Sequence, residues 1–472
     1  MTACSSNGGA TFAAPAGASR NSSPTTQLSE ARGRRLTSQY ISHVIVIVQE
    51  NRSFENFFAG YPGANAPTSG CAIPKTGLLR KRVVKTGVKS DGLSATGCPT
   101  GDIKVALKAV TFRGPDQGPD LQHDWHSSKT EYNRGNMDGF SLLKSKLLYG
   151  AYTYVKRSEI QPYWSMAKQY VLADAMFPTE WGGSFTGHLT LVSGNDEIQQ
   201  EPTQSEVDFP NGKWDDCDSP AGTKSSYVTA VDVEHFYQGP YPCFDQFNTI
   251  ANVLDAGSIS WKIYATKVVD GGMWEPFEAI KYTRYGPDWR TSIIAPQTKV
   301  LTDPGDGKLA SVTWVTPSHA DSDHPGNASD RGPSWVASVV NAIGQSSYWS
   351  SSAIVIVWDD WGGFYDNAKP PQLDYRGLGF RVPCLIISPY AKQGYVDDTQ
   401  YEWGSILSFI EEVYGLPKIG PPSEMYTDTR ATPLDNAFNF TQKPRAFVKI
   451  NPKYSVERFL HEPPSDEPVD TE

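Results

Sequence analysis

His43-Val44-Ile45-Val46-Ile47-Val48-Gln49 runs directly into Glu50-Asn51-Arg52-Ser53-Phe54. Five consecutive β-branched residues with no polar alternation describe a strand buried on both faces, as in the centre of a parallel sheet. A second run of this kind, 353–358, ends in Asp359-Asp360. Open α/β sheets build their ligand sites outside the carboxyl ends of such strands. Here both strands deliver acidic or amide groups to that edge.

Further strands are expected at 171–173, 261–264, 311–315 and 384–387. Helical patterns occupy 184–192, 247–254, 334–343 and 404–413, and 123–175 reads as mostly helical before its strand. Strands alternating with helices imply a doubly wound α/β fold with a mostly parallel central sheet flanked by helices. Two stretches interrupt the pattern as loop-rich insertions, one Gly- and Lys-rich near 60–119 and one polar near 196–245. The expected organisation is a flexible tether over 1–35, one catalytic domain over 36–460, and an acidic tail over 461–472.

The chain has 472 residues, 39% of them hydrophobic and 20% charged, an ordinary globular balance rather than a disordered one. Its formal net charge of −10 repels phosphate backbones at long range, which argues against general nucleic-acid binding. No apolar run approaches the ~20 residues of a transmembrane helix. Thr2-Ala3-Cys4-Ser5-Ser6 resembles the end of a bacterial lipoprotein signal, which makes Cys4 a candidate for a lipid anchor. Cys71, Cys98, Cys217 and Cys243 lie in loop-like sequence as two local pairs, whereas Cys384 sits in an apolar strand. Four cysteines allow three pairings. Local disulfides lead, and they require an oxidising compartment. Export to the periplasm or the exterior is the expectation.

Three carboxylates and an amide, from Glu50, Asn51, Asp359 and Asp360, make an oxygen-rich site suited to one divalent cation. Helix capping explains each residue singly, but not two such doublets on two central strands. Ser184 follows Gly182-Gly183 and opens a helix whose N–H groups would face an anion. A cation beside it would lower its hydroxyl pKa and make it a nucleophile. On its own, Gly-Gly-Ser reads more readily as a helix cap. His123 and His324 suit a phosphoryl oxygen or a leaving alkoxide, and His188 lies one turn beyond Ser184. His43, His126 and His461 read as structural or exposed, and His235 and His319 carry no assignment. Arg52 and Lys262 are candidate extra cations for a phosphate.

Taken together, Glu50-Asn51-Arg52-Ser53-Phe54, His123-Asp124-Trp125, Met137-Asp138-Gly139-Phe140, Gly182-Gly183-Ser184, Asp323-His324-Pro325 and Asp359-Asp360-Trp361-Gly362-Gly363-Phe364-Tyr365-Asp366 resemble the bacterial phosphoesterase family. That family holds the non-specific phospholipases C and the acid phosphatase A type, within the alkaline-phosphatase-like superfamily. The resemblance implies an alkaline-phosphatase-like sandwich. It also implies that Glu50, Asn51, Ser184, Asp359 and Asp360 hold one metal ion, whether Ca, Mg, Mn, Fe or Zn. Ser184 would form a phosphoserine intermediate, with His123 and His324 around the phosphate. Many relatives continue Tyr-Asp-His where this chain has Tyr365-Asp366-Asn367, and the phospholipase branch often carries Thr at the nucleophile position.

The expected function is an exported, metal-dependent phosphoric-ester hydrolase of phospholipase C type acting on phospholipids. The alternative is an acid phosphatase acting on phosphomonoesters. A non-catalytic surface lipoprotein would show loss of Ser184 or an acidic ligand, and neither is lost. A sulfatase would carry C/S-x-P-x-R, which Ser184-Phe185-Thr186-Gly187 does not match. Nothing in the sequence specifies an oligomeric state.

Overall fold

The β-branched runs do become central strands. The computed structural model describes residues 37–75, 97–198, 203–211, 216–266 and 274–463. The tether with Cys4 and most of the acidic tail lie outside the described residues.

Nine strands form the main sheet among the described residues. They are β1 (His43–Gln49), β2 (Val171–Phe177), β3 (Trp261–Tyr264), β4 (Ile293–Ile294), β5 (Val312–Val315), β6 (Ser352–Trp358), β7 (Val382–Ile387), β8 (Tyr395–Asp397) and β9 (Tyr401–Glu402). Their order is β4-β3-β5-β1-β6-β7-β2-β8, with β9 also pairing β2. All neighbours run parallel except that β7 is antiparallel to both β6 and β2. Pro383 has no N–H for a ladder, and the β7–β2 register shifts between Val382 and Cys384.

The apolar runs predict this core well. Val44, Ile45, Val46 and Ile47 are fully buried, as is every residue from Ser352 to Trp358. Each large aliphatic side chain there contributes roughly 1.5–3 kcal/mol of burial. The helices include α1 (Phe54–Phe58), α2 (Trp125–Tyr132), α3 (Gln161–Gln169), α4 (Ser184–Ser193), α5 (Ile250–Ala256), α6 (Gly332–Gly344) and α7 (Trp403–Tyr414). Helix α3 packs with α6, and α4 packs with α5 and α7.

One expectation needs correcting. The stretch 123–175 is helical only in α2 and α3. Between them lie short 3-10 turns and a strand, Thr153–Val155. Helix α2 stops where Asn133, Arg134 and Gly135 take positive φ, and Gly139 then packs on the carbonyl of Thr130, where a Cβ would sit 1.9 Å from the oxygen. The strand predicted at 171–173 also extends to Phe177.

Both insertions carry small sheets, and the first also pairs with a strand outside itself. Ser69–Ala72 pairs with Ile103–Ala106, and Lys108–Val110 pairs with Thr153–Val155. In the second insertion, Gln204–Val207, Ser226–Thr229 and Glu234–His235 form an antiparallel sheet. Disulfides join Cys71 to Cys98 and Cys217 to Cys243, as the local pairing predicts, and Cys384 is a buried thiol. Among the described residues no helix is long and apolar enough to cross a membrane.

The turn after β6 packs closely on the end of β1. Gly362 has φ +62°, and a Cβ there would lie 2.2 Å from the backbone oxygen of Asn51. Gly362→Ala is therefore expected to lower the unfolding free energy by about 2–4 kcal/mol. Urea denaturation with an unchanged midpoint and slope would show instead that this turn yields freely.

Candidate active site

Strands β1 and β6 pair in register, with Gln49 opposite Trp358, so their two polar doublets emerge side by side. Backbone bonds then lock the doublets together. Asp359 N donates to Gln49 O at 3.0 Å, Arg52 N to Asp360 O at 3.0 Å, and Asn51 N to Asp359 Oδ1 at 2.9 Å. Asn51 adopts the left-handed region at φ 54°, an unusual conformation that turns its side chain at the strand end.

Helix α4 supplies the third element. Ser184 is its first residue, behind the cap Gly183, and no side chain caps this helix start, which leaves it suited to an anion. Gly187 allows the approach, since a Cβ there would lie 2.7 Å from the oxygen of Asp359. The Ser184 hydroxyl donates to Asp360 Oδ2 at 3.0 Å and accepts from Asn51 Nδ2 at 3.2 Å.

The same amide nitrogen of Asn51 lies 2.6 Å from His123 Nε2. His123 Nδ1 is 2.7 Å from the Leu121 carbonyl, a contact that requires the proton on Nδ1 and makes Nε2 the acceptor. Asp360 Oδ2 stands 3.9 Å from that ring nitrogen. His324 turns Nδ1 to the Pro325 carbonyl, and its ring centroid is 6.5 Å from that of His123. The structure thus gathers Glu50, Asn51, His123, Ser184, His324, Asp359 and Asp360 at one edge of the sheet.

His188 is the addition. One turn beyond Ser184 on α4, its Nε2 lies 3.0 Å from Glu50 Oε1 and 3.7 Å from Asp359 Oδ2. Burial pushes its pKa down to about 4, partly opposed by Asp359, so the ring is neutral in ordinary solution. Asp359 Oδ2 is buried and accepts no hydrogen bond. Glu50, His188 and Asp359 each present a ligand atom, all within 4.8 Å of one another. Clustered buried carboxylates with a neutral imidazole fit a divalent cation, which would offset their desolvation. The donor set is mixed nitrogen and oxygen rather than all oxygen.

Two further side chains close the wall. Trp274 is buried, with ring centroids 6.2 Å from those of His188, His319 and His324. His319 lies 5.2 Å from His324. A sequence signal existed for His319, because it follows β5, a parallel neighbour of β1 whose carboxyl end opens on the same edge. Trp274 sits in an aperiodic stretch and had none.

The suggested extra cations serve elsewhere. Arg52 Nε donates to the Asp323 carbonyl at 2.8 Å and its guanidinium lies over the Phe364 ring. Lys262 Nζ donates to the Lys308 carbonyl at 2.8 Å, near the start of β3. Asn367, the departure from the family pattern, bonds Asn65 and Arg381 rather than the site. Asp366 beside it clamps Arg381 at 3.0 Å, a structural pair. His126 and His461 are exposed and His43 is partly buried, as expected.

The sequence matches the Phosphoesterase family over residues 41–417. This chain belongs to that family. It is 25% identical over 442 residues to a non-hemolytic phospholipase C of Pseudomonas aeruginosa, covering 85% of this chain and 57% of that protein. It is 24% identical over 454 residues to phospholipase C A of Mycobacterium tuberculosis, covering 86% of this chain and 78% of the relative. The chain therefore spans a little over half the length of the Pseudomonas relative. A solved protein in the alkaline phosphatase superfamily from Vibrio parahaemolyticus aligns over 75% of this chain and 77% of that one. At 12% identity and a TM-score of 0.34, that superposition is too loose to add to the family assignment.

Beneath His324, Asp323 is fully buried and accepts from Tyr163 Oη at 2.6 Å and Trp358 Nε1 at 3.2 Å. Desolvation raises its pKa to about 7, against the lowering effects of those donors and of Arg52. A carboxyl raised in the folded state contributes stability that is fully present below its unfolded pKa near 4. That stability is lost as pH rises through 7. Asp321 is raised to about 7 by burial and acts in the same sense. Thermal unfolding from pH 5 to pH 8 should therefore show a falling midpoint, with a shallower fall in Asp323→Asn. Equal slopes in the two proteins would remove Asp323 as the cause.

Proposed function

We propose that this chain hydrolyses phosphoric esters through Ser184, with phosphodiesters of the phospholipase C type as the substrate class. One observation carries the reading: a hydroxyl at a helix N-terminus, held between Asn51 and Asp360 beside a buried cluster of cation-binding groups. The family and its phospholipase C relatives support the substrate class. Ser rather than Thr at position 184 keeps the phosphomonoesterase alternative in view.

Glu50, Asn51, Ser184, Asp359 and Asp360 would hold the cation, with His188 as an added nitrogen ligand. When bound, a divalent cation supplies positive charge to the phosphoryl oxygens and lowers the pKa of the serine hydroxyl. Ser184 Oγ attacks phosphorus, forming an Oγ–P bond while the bond to the leaving oxygen breaks. The hydroxyl proton passes to Asp360 Oδ2, its hydrogen-bond partner. Protonated His324 gives its proton to the leaving alkoxide. Charge on the phosphoryl oxygens meets the N–H groups opening α4. Water then attacks the phosphoserine, the Oγ–P bond breaks, Asp360 returns the proton to Ser184, and neutral His324 takes the water's proton. His123 acts as a positioning residue, since its Nε2 orients Asn51 and thereby Ser184. The two disulfides are consistent with export into an oxidising compartment.

The test is hydrolysis of p-nitrophenylphosphorylcholine beside p-nitrophenyl phosphate across pH 4 to 9, with and without chelator. Diester turnover should exceed monoester turnover, vanish with chelator, return with a divalent cation, and fall by about 10³-fold or more in Ser184→Ala. Faster monoester turnover would move the assignment to a phosphatase. Full activity in Ser184→Ala would sink the nucleophile.

A further inference from the structure

The polar excursion at 196–245 meets the site through two consecutive residues, Asp208 and Phe209, just past its strand Gln204–Val207. Asp208 lies in the left-handed region at φ 58°. Outside glycine that conformation is uncommon, and Asp and Asn are among the residues that best tolerate it. The turn aims its carboxyl group at two backbones. Trp125 N donates to Oδ1 at 2.9 Å and to Oδ2 at 3.1 Å. The Gly183 N–H, one residue before α4, is a further donor to the same group. Phe209 adds a second tie, with its ring centroid 5.9 Å from that of Phe185, the residue after Ser184.

Those two backbones carry paired groups of the site. Trp125 opens α2 two residues after His123, and Gly183 immediately precedes Ser184. The Asn51 amide bridges the two side chains, 2.6 Å from His123 Nε2 and 3.2 Å from Ser184 Oγ. Neither His123 nor Ser184 sits on a strand, so strand register does not set their separation. Asp208 joins their backbones as Asn51 joins their side chains. Burial, Asp124 and Glu234 push the Asp208 pKa well above the ordinary carboxylate range, which lets a neutral amide of the same shape stand in for the acid. A second link from this insertion to α2 is of another kind. Asp232, which is exposed, pairs with Lys129 at 2.7 Å, and exposed ion pairs contribute little.

We propose that Asp208 is a positioning residue for the reaction: it holds the start of α4 against the start of α2 and so fixes the Ser184 hydroxyl relative to Asn51 and His123. The inference deepens the Ser184 reading and rests on it for the catalytic consequence.

The experiment compares the wild type with Asp208→Gly, Asp208→Asn, Asp232→Ala and Ser184→Ala. Glycine accepts the left-handed turn without strain, so Asp208→Gly removes the carboxyl group alone. Asp208→Asn keeps one acceptor oxygen and tolerates the same turn. Steady-state kinetics on p-nitrophenylphosphorylcholine are read beside thermal unfolding and crystal structures of the two Asp208 variants. Asp208→Gly should lower kcat by about 10²-fold with KM within about twofold, the mark of misplaced reacting groups rather than lost substrate contacts. Asp208→Asn should recover kcat to within about threefold of the wild type. Asp232→Ala should keep wild-type kcat and KM. In the crystal, Asp208→Gly should lengthen the 3.2 Å contact between Asn51 Nδ2 and Ser184 Oγ. Wild-type kcat in a folded Asp208→Gly, or a raised KM at unchanged kcat, overturns the proposal. So do an Asp208→Asn as slow as Asp208→Gly, a Ser184 that does not move, and an Asp208→Gly that does not fold, which makes the residue structural. Full turnover in Ser184→Ala with a displaced hydroxyl in Asp208→Gly keeps the brace and removes the nucleophile; lost turnover with no displacement does the reverse.

Discussion

The in-register pairing of β1 with β6 governs the functional edge of this protein. Two strands made almost wholly of β-branched and aromatic residues lie side by side in the dry centre of the sheet. Their ends must therefore bring Glu50-Asn51 and Asp359-Asp360 to the same place. Negative charge accumulates there because the core is good, not despite it. A buried carboxylate cluster is costly by itself, and its neighbours show the cost: Glu131 and Glu180, both fully buried, are pushed well above the ordinary carboxylate range by desolvation. A cation is the natural counterweight, and the neutral His188 is placed to share in holding it.

Local steric details convert that edge into a site. Gly187 lets α4 reach the backbone of Asp359, and Gly362 lets the turn after β6 fold over Asn51. A side chain at Gly187 would push α4 off Asp359, and one at Gly362 would push the turn off Asn51. His123 works at one remove, through the amide of Asn51, so the orientation of the Ser184 hydroxyl depends on a chain of short contacts from Leu121 to Ser184.

Much of this was legible in the amino-acid order, for an identifiable reason. Runs such as 43–49 and 353–358 have one reading, since no amphipathic helix tolerates them, and their terminal doublets follow from the strands. The Cys71–Cys98 and Cys217–Cys243 pairs were likewise readable from proximity. The region between α2 and α3 was misread because its turns rest on positive-φ residues and on close contacts such as Gly139 on Thr130, which carry no periodic signature. His188 was noticed only as a neighbour of Ser184; its approach to Glu50 depends on how α4 packs against the sheet. Trp274 was invisible, because its place over three histidines is a tertiary fact with no local pattern behind it.

The disulfides have a consequence for how such a protein can change over time. Each one closes 26 or 27 residues of chain within a single insertion, and neither ties an insertion to the main sheet. Each disulfide staples only its own insertion, so a change inside the stapled loop is borne first by that loop rather than by the strands that carry the acidic doublets. The arrangement separates two kinds of inheritance. The reactive edge is held fixed by packing, while the surroundings that choose what reaches it are free to diversify.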